Sequence, residues 1–223
     1  MTQISQHDEQ QRVIAALRDP SGSVRLRSAL RAGSTPTAAY IDPLIERCAV
    51  EPDFFVRDML TWALIQHDHE EVIERLLVEL GSDVAQARAQ ALHTLSKIGD
   101  QSVWPAITSE LLTDADDEVA RTAWRTAANL VPAGSEQWLA ETLSTQWARG
   151  DRDVRLSLSQ AFIMLDAAAT PLIERAAASD DEHVRLHALA TQRLIDDPDL
   201  GFDGAVAEAK RVHTLRGAPT IEG

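Results

Sequence analysis

Lysine is almost missing from this chain of 223 residues: only Lys97 and Lys210 occur among 21 basic residues, the rest being arginine. Such a bias reflects a GC-rich genome, so a bacterial source is expected, and it is silent on function. The basic residues are outnumbered by 35 acidic ones, giving a formal charge of −14. Duplex nucleic acid is held by Lys and Arg that neutralise phosphates, so this balance argues against it as a partner. Aromatic residues make up 4% of the chain, too few for a β-sandwich, whose strands want aromatic and β-branched runs. With a single cysteine, Cys48, there is no internal disulfide, and a cytoplasmic protein is expected. No uninterrupted apolar run approaches the length of a membrane-spanning helix. The segment from Met1 to Glu9 lacks the basic and apolar parts of a signal peptide.

What the chain has in quantity is Ala, Leu, Val and Ile, within a hydrophobic content of 44%. That mix suits closely packed helices. The acids gather where helices would begin, as in Asp114-Ala115-Asp116-Asp117-Glu118, Asp151-Arg152-Asp153 and Ser179-Asp180-Asp181-Glu182. A capping carboxylate is worth about 0.5–2 kcal/mol and also favours the helix dipole. Much of the acidity is therefore structural, and the remainder would attract basic partners.

A short motif recurs along the chain. Val24-Arg25, Val56-Arg57, Ala87-Arg88, Ala120-Arg121, Val154-Arg155 and Val184-Arg185 place arginines 32, 31, 33, 34 and 30 residues apart (57−25, 88−57, 121−88, 155−121, 185−155). Four residues before the arginine stand Asp53, Asp117, Asp151 and Asp181 in four of the units. On a helix, offsets −1, +3, +6, +7 and +10 from the arginine share one apolar face. The aspartate then caps that second helix, and the arginine is within reach of this carboxylate or of one in the next repeat. The expected structural ladder is Asp53, Arg57, Arg88, Asp117, Arg121, Asp151, Arg155, Asp181 and Arg185. First helices carry their own signature: Pro43-Leu44-Ile45-Glu46-Arg47 recurs as Pro171-Leu172-Ile173-Glu174-Arg175. Proline in a first helical turn gives up no hydrogen bond, with Asp42 and Thr170 placed as caps. Asp68 to Glu71 and Asp83 to Gln86 have the spacing of capping boxes.

These periods predict one all-α domain over 1–215. Helix pairs are expected at 8–32, 42–67, 70–97, 101–129, 136–165 and 171–195, with a capping helix near 203–215 and a loose tail at 216–223. The Asp-x-x-x-Arg pattern, the small residues at +3 and +6 and the closer Leu95-Ser96-Lys97-Ile98-Gly99-Asp100 resemble the HEAT repeat, in the short form also found in phycobilin lyase subunits. The resemblance implies a right-handed α-solenoid of about six helix pairs. Its departures are a weak first unit and the bulky Trp124 where a small residue is usual. The family spans scaffolds, lyases, hydroxylases and DNA-repair proteins, so the fold alone names no activity.

No residue cluster specifies a reaction, and neither a catalytic residue, a metal nor a cofactor is expected. Cys48 falls in the apolar stripe of a first helix and reads as a packing thiol. His67-Asp68-His69-Glu70-Glu71 sits at a turn where Asp68 already caps a helix, and His183 with His187 reads as a solvated pair. The surface expected to work is the outward row of the second helices at +1, +5 and +8. In this register it is almost uncharged, with Asp58 and Arg193 the exceptions among eighteen positions. Trp62 is its natural anchor, with Asp58, Ile65, His93, Thr126 and Gln160 beside it. The function expected is a non-catalytic scaffold that binds a protein or peptide with basic flanks. The alternatives are a carrier or lyase for a bulky apolar ligand and, on a HEAT-like glycosylase analogy, a DNA-repair enzyme.

Overall fold

The computed structural model describes the backbone of residues 2–216 and the side chains of residues 7–211. The chain is all-helical, with no strand among the described residues. The α-helices are α1 (Thr2–Ala16), α2 (Gly22–Ser34), α3 (Ile41–Cys48), α4 (Phe54–Leu64), α5 (His69–Glu79), α6 (Ala85–Ile98), α7 (Ser109–Leu112), α8 (Asp117–Leu130), α9 (Glu136–Leu143), α10 (Arg152–Leu165), α11 (Thr170–Ala177), α12 (Glu182–Asp196) and α13 (Gly201–Arg216). The tail expected from 216 onwards lies, beyond Arg216, outside the described residues. No described helix is long and apolar enough to cross a membrane. The molecule divides into two compact units, 1–126 and 127–223, the division falling within α8.

In the first unit the helices pack in sequential pairs, α1 on α2, α3 on α4 and α5 on α6. The second helices of these pairs also pack on one another, α2 on α4 and α4 on α6. The Thr126 hydroxyl continues this contact, donating from α8 to the Leu92 carbonyl of α6 at 3.1 Å. α2 and α4 approach closely at Gly33 of α2. A Cβ built there would lie 2.8 Å from Ala63 Cα and 2.9 Å from Trp62 Cε3, so Trp62 lies across the bare backbone of the preceding long helix. Gly33→Ala is expected to destabilise by about 1–3 kcal/mol through overpacking, measured by urea unfolding. No change would mean that the two helices separate easily.

Caps decide the register. Asp53, Asp151 and Asp181 accept backbone N–H bonds from the first turns of α4, α10 and α12, as expected, and Asp68 does so for α5. Asp117 does not cap α8. Its neighbour Asp116 does, accepting from Glu118 N at 2.9 Å and Val119 N at 3.1 Å. Counted from the cap, Ala120 stands where the other helices carry arginine, and Arg121 is one residue on. The shift also resolves Trp124: the small residue expected at its position is Ala123, and Trp124 is buried with its indole N–H on the Leu112 carbonyl at 2.7 Å. Asp83 is not a cap either. Val84 holds that place, and Gln86 reaches back from α6 to the Cys48 and Glu51 carbonyls. Asp42 and Thr170 lie inside their helices rather than ahead of them. The helix expected over 101–113 is broken into a 3-10 turn at Gln101–Ala106 and the short α7, because Pro105 has no N–H to give.

Of the six motif arginines, two bond a carboxylate further along the chain. Arg25 bonds Glu51 through two nitrogens at 2.6 and 2.7 Å, and Arg88 bonds Asp114 likewise at 2.9 and 3.1 Å. Each pair reaches a carboxylate 26 residues ahead, Glu51 in the loop before α4 and Asp114 in the loop before α8. Arg57 and Arg185 instead donate to carbonyls five and six residues behind them. Arg121 bonds Glu118 within its own helix. Arg155 Nε is buried without a hydrogen-bond partner.

In the second unit α12 packs on α10, α11 and α13. Phe202, Ala205 and Ala209 of α13 lie against Ala190 and Leu194 of α12. α13 thus covers part of the apolar face of α12. His187 of α12 is not part of a solvated pair: it is buried, while His183 is exposed.

Candidate functional site

Three long helices of the first unit, α4, α6 and α8, together line a groove of about 350 Å³. From α4 come Phe54, Arg57, Asp58 and Thr61, from α6 Ala89, Gln90 and His93, and from α8 Glu118, Arg121, Thr122 and Arg125. Helical periodicity explains the set, since residues three and four apart share a face.

The register of α8 changes the chemistry expected here. Thr126 does not face a partner: it is 1% exposed, and its hydroxyl bonds the Leu92 and Thr122 carbonyls. The residues that continue the rows of Asp58 and Ala89, and of Trp62 and His93, are Arg121 and Arg125. The row is therefore charged at α8. Of the other residues expected on it, Asp58 is exposed and His93 half-buried, both in the groove. Trp62 is half-buried and packs on Gly33, which makes it a packing residue first. Ile65 ends α4 and is half-buried. Gln160 belongs to the second unit, exposed on α10.

Phe54 was missed by sequence reasoning. It opens α4 and is 65% exposed, with the Arg57 guanidinium 5.9 Å from its ring centroid and Phe55 packed edge-on. Its signal was the Phe54-Phe55 pair beside a cap, in a chain otherwise poor in aromatics.

The groove's polar groups are incompletely used. The Thr61 hydroxyl at its floor is 3% exposed and has no hydrogen-bond partner, and Gln90 Oε1 is likewise buried and unbonded. Arg125 makes one long contact, to Thr122 Oγ1 at 3.4 Å, and among the described residues no carboxylate bonds it. Burial, then the adjacent Arg121, pushes the Arg125 guanidinium below its ordinary pKa. Burial also pushes His93 down, helped by Lys97 and Arg125. Among the described residues no group of three or more His, Cys, Asp or Glu side chains could hold a metal ion. Cys48 is buried, and its thiol is pushed up to about 12 by burial, so it is a poor nucleophile.

No protein-family model matches this chain. No curated protein matches it either. Among solved structures it is similar to the crystal structure of an engineered protein, at 17% identity and a TM-score of 0.47, over 90% of this chain and 97% of that one.

Proposed function

We propose that the chain is a right-handed solenoid of about six HEAT-like helix pairs closed by α13, and that it works as a cytoplasmic scaffold without catalysis of its own. Its partner is a protein segment held across α4, α6 and α8. The observation that carries this reading is the groove itself. It crosses α4, α6 and α8, with an exposed phenylalanine at one end and unbonded polar atoms on its floor. Helices packed 8–10 Å apart give a trough of roughly 16–20 Å, enough for about five or six extended residues. Exposed aromatic and arginine side chains are also the residue types that dominate interface energetics. A DNA-repair role fits less well, because Asp58 and Glu118 stand among the three arginines and would oppose a phosphate backbone.

Affinity capture from the source organism's lysate tests the reading with wild type, Phe54→Ser, Arg125→Glu and Glu74→Lys, the last on exposed α5. Proteins retained by wild type and Glu74→Lys should fall at least tenfold with the two groove variants. Equal retention by all four would move the binding surface elsewhere.

A further inference from the structure

We infer that the segment recognised in this groove is acidic: a linear stretch bearing a carboxylate, with an apolar side chain laid against Phe54. This rests on the partner-binding reading above and reverses the preference for basic flanks that composition suggests.

Three observations lead to it. Arg57 and Arg125 both line the groove, and among the described residues neither bonds a carboxylate. Arg57 is held by the Glu51 and Pro52 carbonyls and stacks on Phe54, while Arg125 has the single long contact to Thr122. An arginine fork is built for bidentate pairing with a carboxylate. The Thr61 hydroxyl, almost wholly buried at the groove floor and unbonded, can donate to the same anion or to a backbone carbonyl beside it. Finally, Phe54 offers an apolar surface next to a cation, which suits a segment that mixes acidic and apolar residues.

The formal charge of −14 does not forbid this. Exposed charges further away than about 8 Å are largely screened at physiological salt, so the local guanidinium groups decide the contact. Asp58 and Glu118 set the register, since a carboxylate placed beside either one is repelled.

The test is selection from a displayed library of random twelve-residue peptides, panned on the full chain and counter-panned on a double variant, Arg57→Glu with Arg125→Glu. Circular dichroism first confirms that the double variant keeps its helix content. Enriched peptides should carry Asp or Glu within a few residues of Phe, Leu, Ile or Trp. A synthetic copy should bind wild type at least tenfold more tightly than Arg125→Glu, and more tightly than its own Asp/Glu-to-Asn/Gln counterpart. Enrichment of basic peptides that the double variant holds better would overturn the charge assignment and leave the scaffold standing. Failure to enrich any peptide over the unselected library would remove both.

Discussion

Glu51→Gln should destabilise the protein by about 3–5 kcal/mol, the usual cost of removing one member of a buried ion group. Glu51 is fully buried in the loop between α3 and α4. Its carboxylate accepts two bonds from Arg25 of α2, one from Arg47 Nε at 2.7 Å and one from the Asp53 backbone N–H at 3.0 Å. Burial opposes the charge, but the Arg25 and Arg47 bonds and that N–H outweigh it and hold the carboxyl down to about 2. Its backbone carbonyl receives Arg57 and Gln86 as well. One residue thus ties α2, α3, α4 and α6 together, and the glutamine variant would strand the buried Arg25 guanidinium and the half-buried one of Arg47. Urea unfolding with a double-mutant cycle measures it. Glu51→Gln and Arg25→Met should be less than additive, because the second change removes a charge that the first leaves unpaired. A loss below 1 kcal/mol for Glu51→Gln would show that water reaches the site and solvates the arginines.

Lowering the pH from 7.5 to 5 should remove about 2 kcal/mol of stability through His187 alone, rising to about 3 kcal/mol in more acidic solution. The ring is buried, its Nδ1 accepting from the Ala148 N–H at 3.1 Å. The proton therefore sits on Nε2, which faces the Arg155 carbonyl at 3.0 Å and Ser159 Oγ at 3.1 Å. Burial lowers the folded pKa from 6.5 to about 4. The unfolded chain accordingly binds the proton more readily. Stability is full above about pH 6.5 and declines as pH falls towards 4, because protonation must break the Ala148 bond. Burial lowers His93 too, in the same sense, so the decisive comparison is with His187→Leu. That variant should be less stable at pH 7.5 and show a slope flatter by about 2 kcal/mol over the same range. An unchanged slope would mean that His187 does not titrate between the folded and unfolded states.

Much of the fold is legible in the sequence because the caps and the apolar stripes agree. Where Asp53, Asp151 and Asp181 stand alone before their stripes, the starts of α4, α10 and α12 follow directly. The region before α8 offers Asp114, Asp116 and Asp117 in quick succession, and the Ala120-Arg121 pair imitates the repeat motif one residue out of register. Packing chooses between them. Placing Trp124 at the small-residue position would drive an indole into a neighbouring backbone, whereas Asp116 as cap puts Ala123 there. The α8 side of the candidate groove turned on that one residue, since the shift puts Arg121 and Arg125 on the rows where Thr122 and Thr126 were expected. The Arg25–Glu51 and Arg88–Asp114 rungs were less legible, because a spacing of 26 residues becomes a contact only once the loops are folded against the preceding helix.

The close approach of Gly33 and Trp62 also bears on how such a sequence can drift. Neither position can be explored alone: any side chain at 33 collides with the indole or with Ala63, and a small residue at 62 leaves a hollow above bare backbone. Homologous chains should therefore change the two together, a larger residue at 33 accompanying a smaller one at 62. That coupling spans 29 positions (62−33), close to one repeat, so covariation at repeat spacing would record helix-to-helix stacking independently of any motif the repeats share.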